Sequence, residues 1–496
     1  MYPKRQLKKC LASCSCATII VALGVLIVCL KSVFYKFIIG KVFLLQPDSY
    51  SYHLWKKNPV PVSLKLYLFN WTNSGEIFNS SIKPAFQELG PYEFDETKEK
   101  INITWNSNNN TVSFYHLKKW WFNQERSNGS LDDPVVSVNP IGLTSSLTVR
   151  NWNYFLKQSV NILFRTTQTK LSEAHKVGDV LFRGYNDTLL TMVNNLPFSP
   201  GSIPKNYDKF AWFYMRNGSE TFEGQFNMDV GLSGQLGELY QWKFENRTAY
   251  FPGECGKISG SAGEFFPGHL TKESRIRLFS PDLCRYVELE FEKESEVKGL
   301  SGYKYSAADR FLDNGTKIPE NKCFCTGECL PYGTVNISAC RYGSPAFVSL
   351  PHFFRADSYY TESIEGMSPN ESKHGFFIVF EPKTGMPLEV SARLQLNLLV
   401  EPVPGISLLR DVPKIVIPVL WFEQSVLIPD DMAFYVQLLL HFETICLICG
   451  IVCILCGVMI DMCVCYKTCQ SKVIERNEDK HIKEEIPLTG KKHLDY

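Results

Sequence analysis

Two long uncharged runs lie near the ends of the chain. The first, Cys10–Leu30, has 21 residues, and the second, Thr444–Ile460, has 17. Because about 21 helical residues span roughly 30 Å, the hydrocarbon thickness of a bilayer, the first run predicts a transmembrane helix. The second is near the short limit, but the apolar stretch Phe434–Leu440 can extend it, with Glu443 at an interface.

The first run has two alternatives, a cleavable signal peptide and a buried helix of a soluble protein. It is longer than the roughly 7–15 apolar residues of a signal peptide, and no small-x-small cleavage site follows it. An uncleaved anchor is therefore favoured. Basic residues precede the first run and follow the second, so we expect cytoplasmic tails at residues 1–9 and 461–496.

Between the runs, most of the pattern is that of short strands broken by turns. Residues 62–73, 111–117 and 286–292 alternate apolar and polar positions. Residues 376–400 contain two such segments joined by Pro-Lys-Thr-Gly, which is a hairpin signal. The pattern predicts a mainly antiparallel β ectodomain over residues 31–443, which no linker rich in Pro, Gly or Ser divides.

Helical spacing is confined to one part of this segment. Apolar residues recur near helical spacing from Trp152 to Phe164, and a second such pattern follows over Val177–Leu190. We therefore expect a helical insertion at about residues 151–190.

Glycosylation sequons indicate which side of the membrane the long segment faces. Eleven Asn-x-Ser/Thr sequons lie between the two apolar runs, and neither tail has one. This distribution predicts that residues 31–443 are extracellular or lumenal. The sequon asparagines are Asn70, Asn79, Asn102, Asn109, Asn128, Asn186, Asn217, Asn246, Asn314, Asn336 and Asn370.

Six cysteines lie in the same segment. An even number in an oxidising compartment predicts three disulfides, with fifteen possible pairings. A zinc site is the alternative, with His352 nearby, but Cys-Phe-Cys is too tight for two ordinary zinc ligands, so no metal is expected. The six are Cys255, Cys284, Cys323, Cys325, Cys329 and Cys340.

The charged residues give little indication of catalysis or of nucleic-acid binding. Lys and Arg number 52 and Asp and Glu 51, so no net charge steers the chain to nucleic acid. The chain has no G-x-S-x-G, H-E-x-x-H or P-loop motif, and the adjacent Asp132 and Asp133 are typical of a solvated loop rather than a glycosidase pair. We expect no enzyme activity and no cofactor.

Several motifs in order along the chain are familiar together. They include "ELGPYEFDE" (88–96), "FSPDLCRYVELEFE" (279–292), "NKCFC" (321–325), "SACRYGSPAFVSLPHFFRAD" (338–357) and "EPKTGMPLEVSARLQLNLLV" (381–400). With the two terminal anchors, the chain resembles the class B scavenger receptor family from about residue 10 to 465. The resemblance implies a twisted antiparallel β-barrel ectodomain with an apical helical bundle and an internal lipid tunnel.

The resemblance also implies a disulfide pairing and a lipid-contacting apex. By position the disulfides are Cys255–Cys323, Cys284–Cys340 and Cys325–Cys329. Lipids would bind at the helical apex, where basic Arg165, Lys170 and Lys176 lie beside apolar Phe155 and Phe164; the alternative for these residues is a solvated helix face.

Cysteines at the membrane boundaries resemble the family's palmitoylation positions. The alternative is that they are small apolar residues filling the helix ends. They are Cys10, Cys14, Cys16, Cys463, Cys465 and Cys469.

The expected protein is a two-pass plasma-membrane receptor that binds lipids, fatty acids or lipoproteins and assists their uptake or transfer. A lysosomal receptor or chaperone is one alternative, although "EEIPLTG" (484–490) lacks the second bulky residue of an acidic dileucine signal. The others are an adhesion or phagocytic receptor for apoptotic cells or microbes and a sensory lipid-delivery protein.

Overall fold

The computed structural model describes residues 3–195 and 207–484, apart from the side chains of residues 3–11, 193–195, 475 and 478–484. The dileucine-like tail sequence therefore lies almost entirely outside the described residues. The chain divides into two compact units, one formed by Met1–Val42 with Phe434–Tyr496 and the other by Phe43–Ala433.

The first unit is built from the long terminal helices α1 (Pro3–Val42) and α9 (Phe442–Glu484). Within them, Ala12–Val42 and Phe442–Ile474 are long and apolar enough to cross a membrane. Their backbones approach closely: a methyl group built on Gly24 would lie 2.7 Å from the carbonyl oxygen of Gly450. Glycine therefore permits the contact between the two helices.

The second unit is dominated by one antiparallel sheet of 13 strands among the described residues. Its central hydrogen-bonded path runs β7-β6-β3-β2-β1-β15-β14-β13-β10-β9-β8, with β12 beside β14 and β11 beside β12, while β4 and β5 form a separate pair. The strands are β1 (Val62–Trp71), β2 (Phe86–Asn106), β3 (Thr111–Phe122), β4 (Pro134–Val138), β5 (Ser172–Lys176), β6 (Phe226–Asp229), β7 (Leu239–Trp242), β8 (Arg275–Ser280), β9 (Arg285–Val297), β10 (Leu300–Ser306), β11 (Val335–Asn336), β12 (Ala346–Ser349), β13 (Phe377–Phe380), β14 (Pro387–Val400) and β15 (Ile415–Leu427).

The two edge strands of the path, β7 and β8, are bridged by one segment. The amide of Leu239 in β7 donates to the carbonyl of Gly260 at 3.0 Å, and the amide of Phe279 in β8 donates to that of Ser261 at 2.8 Å. This segment brings the sheet close to a closed barrel, which leaves few unpaired edge groups. The expected antiparallel barrel-like fold with two terminal helices is confirmed.

The other described helices are short, and three of them lie between β4 and β6 along the chain. The remaining helices are α2 (Tyr50–Lys56), α3 (Pro140–Thr148), α4 (Tyr154–Thr166), α5 (Thr188–Asn195), α6 (Ser358–Ser363), α7 (Glu371–His374) and α8 (Asp430–Leu440).

The predicted helical insertion is only partly correct. Residues 154–166 form α4, but β5 interrupts the insertion, and Val177–Leu190 is not one helix. A short π-helical turn covers Asp179–Arg183, and Gly184 follows with a φ of +78°. That left-handed conformation ends the turn, so helix resumes only at Thr188.

The hairpin prediction fits the structure. β13 and β14 pair as antiparallel neighbours through the turn at Pro-Lys-Thr-Gly. Gly385 has a φ of +73°, and its amide donates to the carbonyl of Glu381 at 2.9 Å. The glycine supplies a backbone conformation that other residues adopt only with strain.

Candidate ligand-binding cavity

The barrel unit contains a partly open apolar cavity of about 260 Å³. Its walls come from β12, β14 and β15, from α3, and from the segment 207–216 before β6. The apolar side chains lining it include Ile141, Leu190, Phe210, Trp212, Phe213, Phe222, Leu283, Ile337, Ala346, Val348, Leu394, Leu396, Leu420 and Phe422.

The strand walls follow from the alternation of side chains along a strand. Leu394 and Phe422 are register partners on β14 and β15, and both line the cavity. Arg393 and Glu423, one position along, form an ion pair at 3.1 Å. Because successive side chains point to opposite faces, the ion pair lies on the other face of the same two strands.

Helix α3 also contributes to the cavity wall, and the backbone amides at its first turn already have hydrogen-bond acceptors. Asn139 caps it, since its side chain accepts hydrogen bonds from the amides of Ile141 and Gly142 at 3.0 and 2.9 Å. Pro140 occupies the first turn. The cap leaves fewer free amides at the helix end, which suits an apolar surrounding.

One end of the cavity is charged. The Nη2 atoms of Arg216 and Arg341 lie 2.9 and 3.2 Å from the same carboxylate oxygen of Asp282. Burial acts to raise the pKa of Asp282, but the two guanidinium groups outweigh burial and hold that pKa below its usual value. Asp282 is therefore ionised between two cations.

A second, more polar cavity of about 330 Å³ adjoins the first. Ser219, Thr221, Glu223 and Lys243 line it, beside the Cys284–Cys340 disulfide. The two cavities share six lining residues, Tyr207, Arg216, Phe222, Asp282, Arg341 and Tyr342. The charged group thus separates an apolar space from a polar one.

Buried charges continue along β2 and β3. Lys100 Nζ lies 3.0 Å from a carboxylate oxygen of Glu264, and His116 Nδ1 lies 2.9 Å from one of Glu223. Burial lowers the pKa of Lys100 to about 8 and, together with Lys98, that of His116 to about 4. Burial would raise the pKa of Glu264, but Lys100 and Lys98 bring it well below its usual value.

The predicted apical residues do not form one site. Phe155 is 82% exposed on α4, whereas Phe164 is 3% exposed and belongs to the hydrophobic core. Arg165 and Lys170 are exposed, and Lys176 lies 3.2 Å from Asp132. Within the part of the chain that the structure describes, none of these five lines the cavity. A direct lipid contact through Phe164 is wrong because core packing already covers its side chain.

All six cysteines of the barrel unit are bonded in pairs in the structure. The pairs are Cys255–Cys323, Cys284–Cys340 and Cys325–Cys329, as the resemblance implied. Over residues 3–195 and 207–484, no cluster of His, Cys, Asp or Glu side chains could hold a metal ion.

The sequon asparagines differ in exposure. Eight are exposed, and Asn70 and Asn336 are half-buried. Asn314 is 6% exposed, and its Nδ2 donates to the carbonyl of Leu330 at 2.7 Å. A glycan on Nδ2 needs access to solvent, which this buried side chain lacks, so the sequon prediction is corrected at Asn314.

Five of the six candidate palmitoylation cysteines have described side chains, and none of these five belongs to a disulfide in the structure. Cys16, Cys463, Cys465 and Cys469 are exposed, and Cys14 is half-buried. The side chain of Cys10 lies outside the described residues.

The sequence contained a partial signal for the charged group. Asp282 is two residues before Cys284, and Arg341 directly follows Cys340, so the Cys284–Cys340 pairing brings them together. No comparable signal connects Arg216 to them, because its position depends on how the segment before β6 folds back over the barrel.

Comparison with known proteins agrees with this architecture of two terminal apolar helices and an antiparallel barrel. The model of the CD36 family matches residues 14–468. Protein peste of Drosophila melanogaster is 36% identical over 399 residues, covering 79% of this chain and 71% of its own. Scavenger receptor class B member 1 of Bos taurus is 32% identical over 423 residues, covering 84% and 81%.

Lysosome membrane protein 2 of Homo sapiens is 31% identical over 402 residues, covering 80% of this chain and 81% of its own. The fold and the apolar helices define a two-pass membrane protein with a large β-barrel unit. The chain belongs to the CD36 family, and the resemblance to class B scavenger receptors is confirmed.

Proposed function

We propose that this protein is a class B scavenger-type receptor that binds lipids, fatty acids or lipoproteins and assists their uptake or transfer. The observation that carries the proposal is the apolar cavity inside the barrel unit. A hydrocarbon chain placed there gains about 0.8 kcal/mol for each CH₂ group removed from water. No catalytic role is proposed.

The exposed surface of α4 supports a contact with lipid particles. Tyr154, Phe155 and Ile162 are 66%, 82% and 64% exposed, so this short helix presents large apolar side chains to solvent. Exposed Arg165 lies on the same helix and Lys170 just after it. Apolar patches with basic neighbours are suited to anionic lipid surfaces.

The adjoining cavities support transfer as well as binding. Because the two cavities share six lining residues, an acyl chain that extends through the apolar cavity to Arg216 would have its end beside the polar one. We infer that the barrel interior is the route along which lipid passes towards the membrane, as in the tunnel that the family resemblance implies.

The cell surface is the proposed location, and the lysosomal membrane is the second candidate. The exposed sequons support a barrel unit outside the cytoplasm in either case. A relative named as a lysosome membrane protein, at 31% identity, favours keeping the second candidate. Surface biotinylation of cells expressing the full chain separates the two.

Photo-crosslinking tests the cavity as the lipid site. Full-length protein in detergent is incubated with a palmitic acid analogue that carries a diazirine near the end of its tail, irradiated and digested. We expect labelled peptides from β14 and β15, which contain Leu396 and Phe422. Labelling confined to α4 would support surface contact alone and would remove the cavity from the proposal. An absence of labelling would also remove the cavity from the proposal.

A further inference from the structure

Two arginines meet one carboxylate where the apolar and polar cavities join. Arg216 and Arg341 both contact the same oxygen of Asp282, at 2.9 and 3.2 Å. Two guanidinium groups against one carboxylate leave an excess positive charge at this point. Placed at the end of an apolar cavity, this charge is suited to an amphiphile with an anionic head.

Arg216 has unused hydrogen-bonding capacity. Its Nε is buried without a hydrogen-bond partner among the described residues, and its guanidinium lies over the rings of Phe213 and Phe222, at 5.2 and 4.7 Å. A buried donor without an acceptor is costly. An incoming anionic oxygen would satisfy this donor while Asp282 stays in place.

A third cation lies in the polar cavity. Lys243 lines it, with its Nζ 4.3 Å from the ring centre of Trp242. Burial and the neighbouring Arg341 both lower the pKa of Lys243. The residues lining the polar cavity thus include three basic side chains, Arg216, Arg341 and Lys243, and two acidic ones, Asp282 and Glu223.

We propose that Arg216 and Arg341 bind the carboxylate of a single-chain fatty acid whose hydrocarbon tail lies in the apolar cavity, with Asp282 holding both arginines until the ligand arrives. A carboxylate is favoured because its two planar oxygens match the paired N–H groups of arginine. This proposal rests on the proposed function, since it needs an acyl chain in the cavity.

The test compares two amphiphiles that differ only in their heads, palmitate and hexadecan-1-ol, on full-length protein in detergent at neutral pH. Wild type should bind palmitate more tightly. In Arg216→Gln the ratio of the two affinities should fall by about ten- to a hundredfold, as expected for loss of a charged hydrogen bond. Arg150→Gln, which removes an exposed ion pair with Glu401 at 3.2 Å, is the matched control and should keep the ratio.

Asp282→Asn provides a change in the opposite direction. It removes the carboxylate that competes for the two arginines, so palmitate should bind more tightly than to wild type. This keeps the proposal testable if Arg216→Gln does not fold.

The outcomes separate this site from the proposed function. If wild type binds both amphiphiles equally, or if Arg216→Gln keeps the ratio, the head-group site is overturned while the cavity stands. Weaker palmitate binding in Asp282→Asn also overturns it. If neither amphiphile binds wild type, both this site and the proposed lipid-binding function fail.

Discussion

His116 is a residue whose buried position should make the stability of the protein depend on pH. Its side chain is 3% exposed and contacts Glu223, with Glu264, Lys98 and Lys118 around it. Burial lowers its pKa from 6.5 to about 4. Between pH 6.5 and pH 4 the unfolded chain binds a proton at this histidine that the folded chain does not bind. The free energy of unfolding is therefore greatest above pH 6.5 and falls as the pH drops towards 4.

The expected loss between pH 6.5 and 4 is about 3 kcal/mol, at roughly 1.4 kcal/mol per pKa unit. His374, whose pKa is also lowered to about 4, acts in the same direction. Thermal unfolding of the detergent-solubilised protein at pH 7.5 and pH 5.0 measures the effect. His116→Gln should reduce the drop in midpoint, and His269→Gln, at an exposed position, should not. An equal drop in all three proteins would contradict the assignment.

The burial of His116 and the identity of its charged neighbours could not be predicted from the sequence. The alternation along β2 and β3 places Lys98, Lys100, His116 and Lys118 on one face, but it does not reveal that this face is buried. The acidic partners Glu223 and Glu264 come from distant loops, more than 100 residues further along the chain. Only the closure of the sheet brings these charges together.

At the scale of elements, the strands and the terminal helices were the most predictable parts. β1, β3, β9 and the β13–β14 hairpin match alternating patterns, because their inner faces are apolar and their outer faces are not. Helix α3 was not predicted: its nine residues, from Pro140 to Thr148, are too few for a clear helical period.

Helices α1 and α9 approach each other closely at Gly24, so a larger side chain there should separate them. Gly24→Val should destabilise the helix pair by about 1–3 kcal/mol, because its side chain would meet the backbone of Gly450 and Ile454 within 3.0 Å. Gly40→Val on the same helix is the matched control, since no described atom lies within 4 Å of a methyl group built there.

Thermal unfolding in detergent compares these two variants with wild type. A lower midpoint for Gly24→Val alone is expected. A similar midpoint for both variants would mean that the close approach contributes little to stability.

For the whole molecule, the sequence motifs were enough to predict the class of protein. The candidate binding site, in contrast, could be located only in the folded structure. The cavity gathers residues from 140 to 422, and no single local motif contains them all. The apex residues that the sequence predicts, by contrast, all lie within residues 155–176, and one of them, Phe164, belongs to the core. Long-range packing therefore determines which apolar side chains enclose a space and which fill one.

The central claim is that the apolar cavity holds the hydrocarbon part of a lipid. Ala346 lines the cavity and is 2% exposed, so Ala346→Leu should occupy part of the space. Ala307 is 4% exposed in the same core and, among the described residues, is not part of the cavity lining. Ala307→Leu therefore controls for the general cost of an overpacked core, about 1–3 kcal/mol.

Native mass spectrometry of the full-length protein in detergent, measuring the fraction of molecules that carry lipid, tests this claim most directly. We expect wild type and Ala307→Leu to retain lipid and Ala346→Leu to lose most of it. A lipid-free wild type, or equal lipid occupancy in Ala346→Leu and Ala307→Leu, would contradict the account.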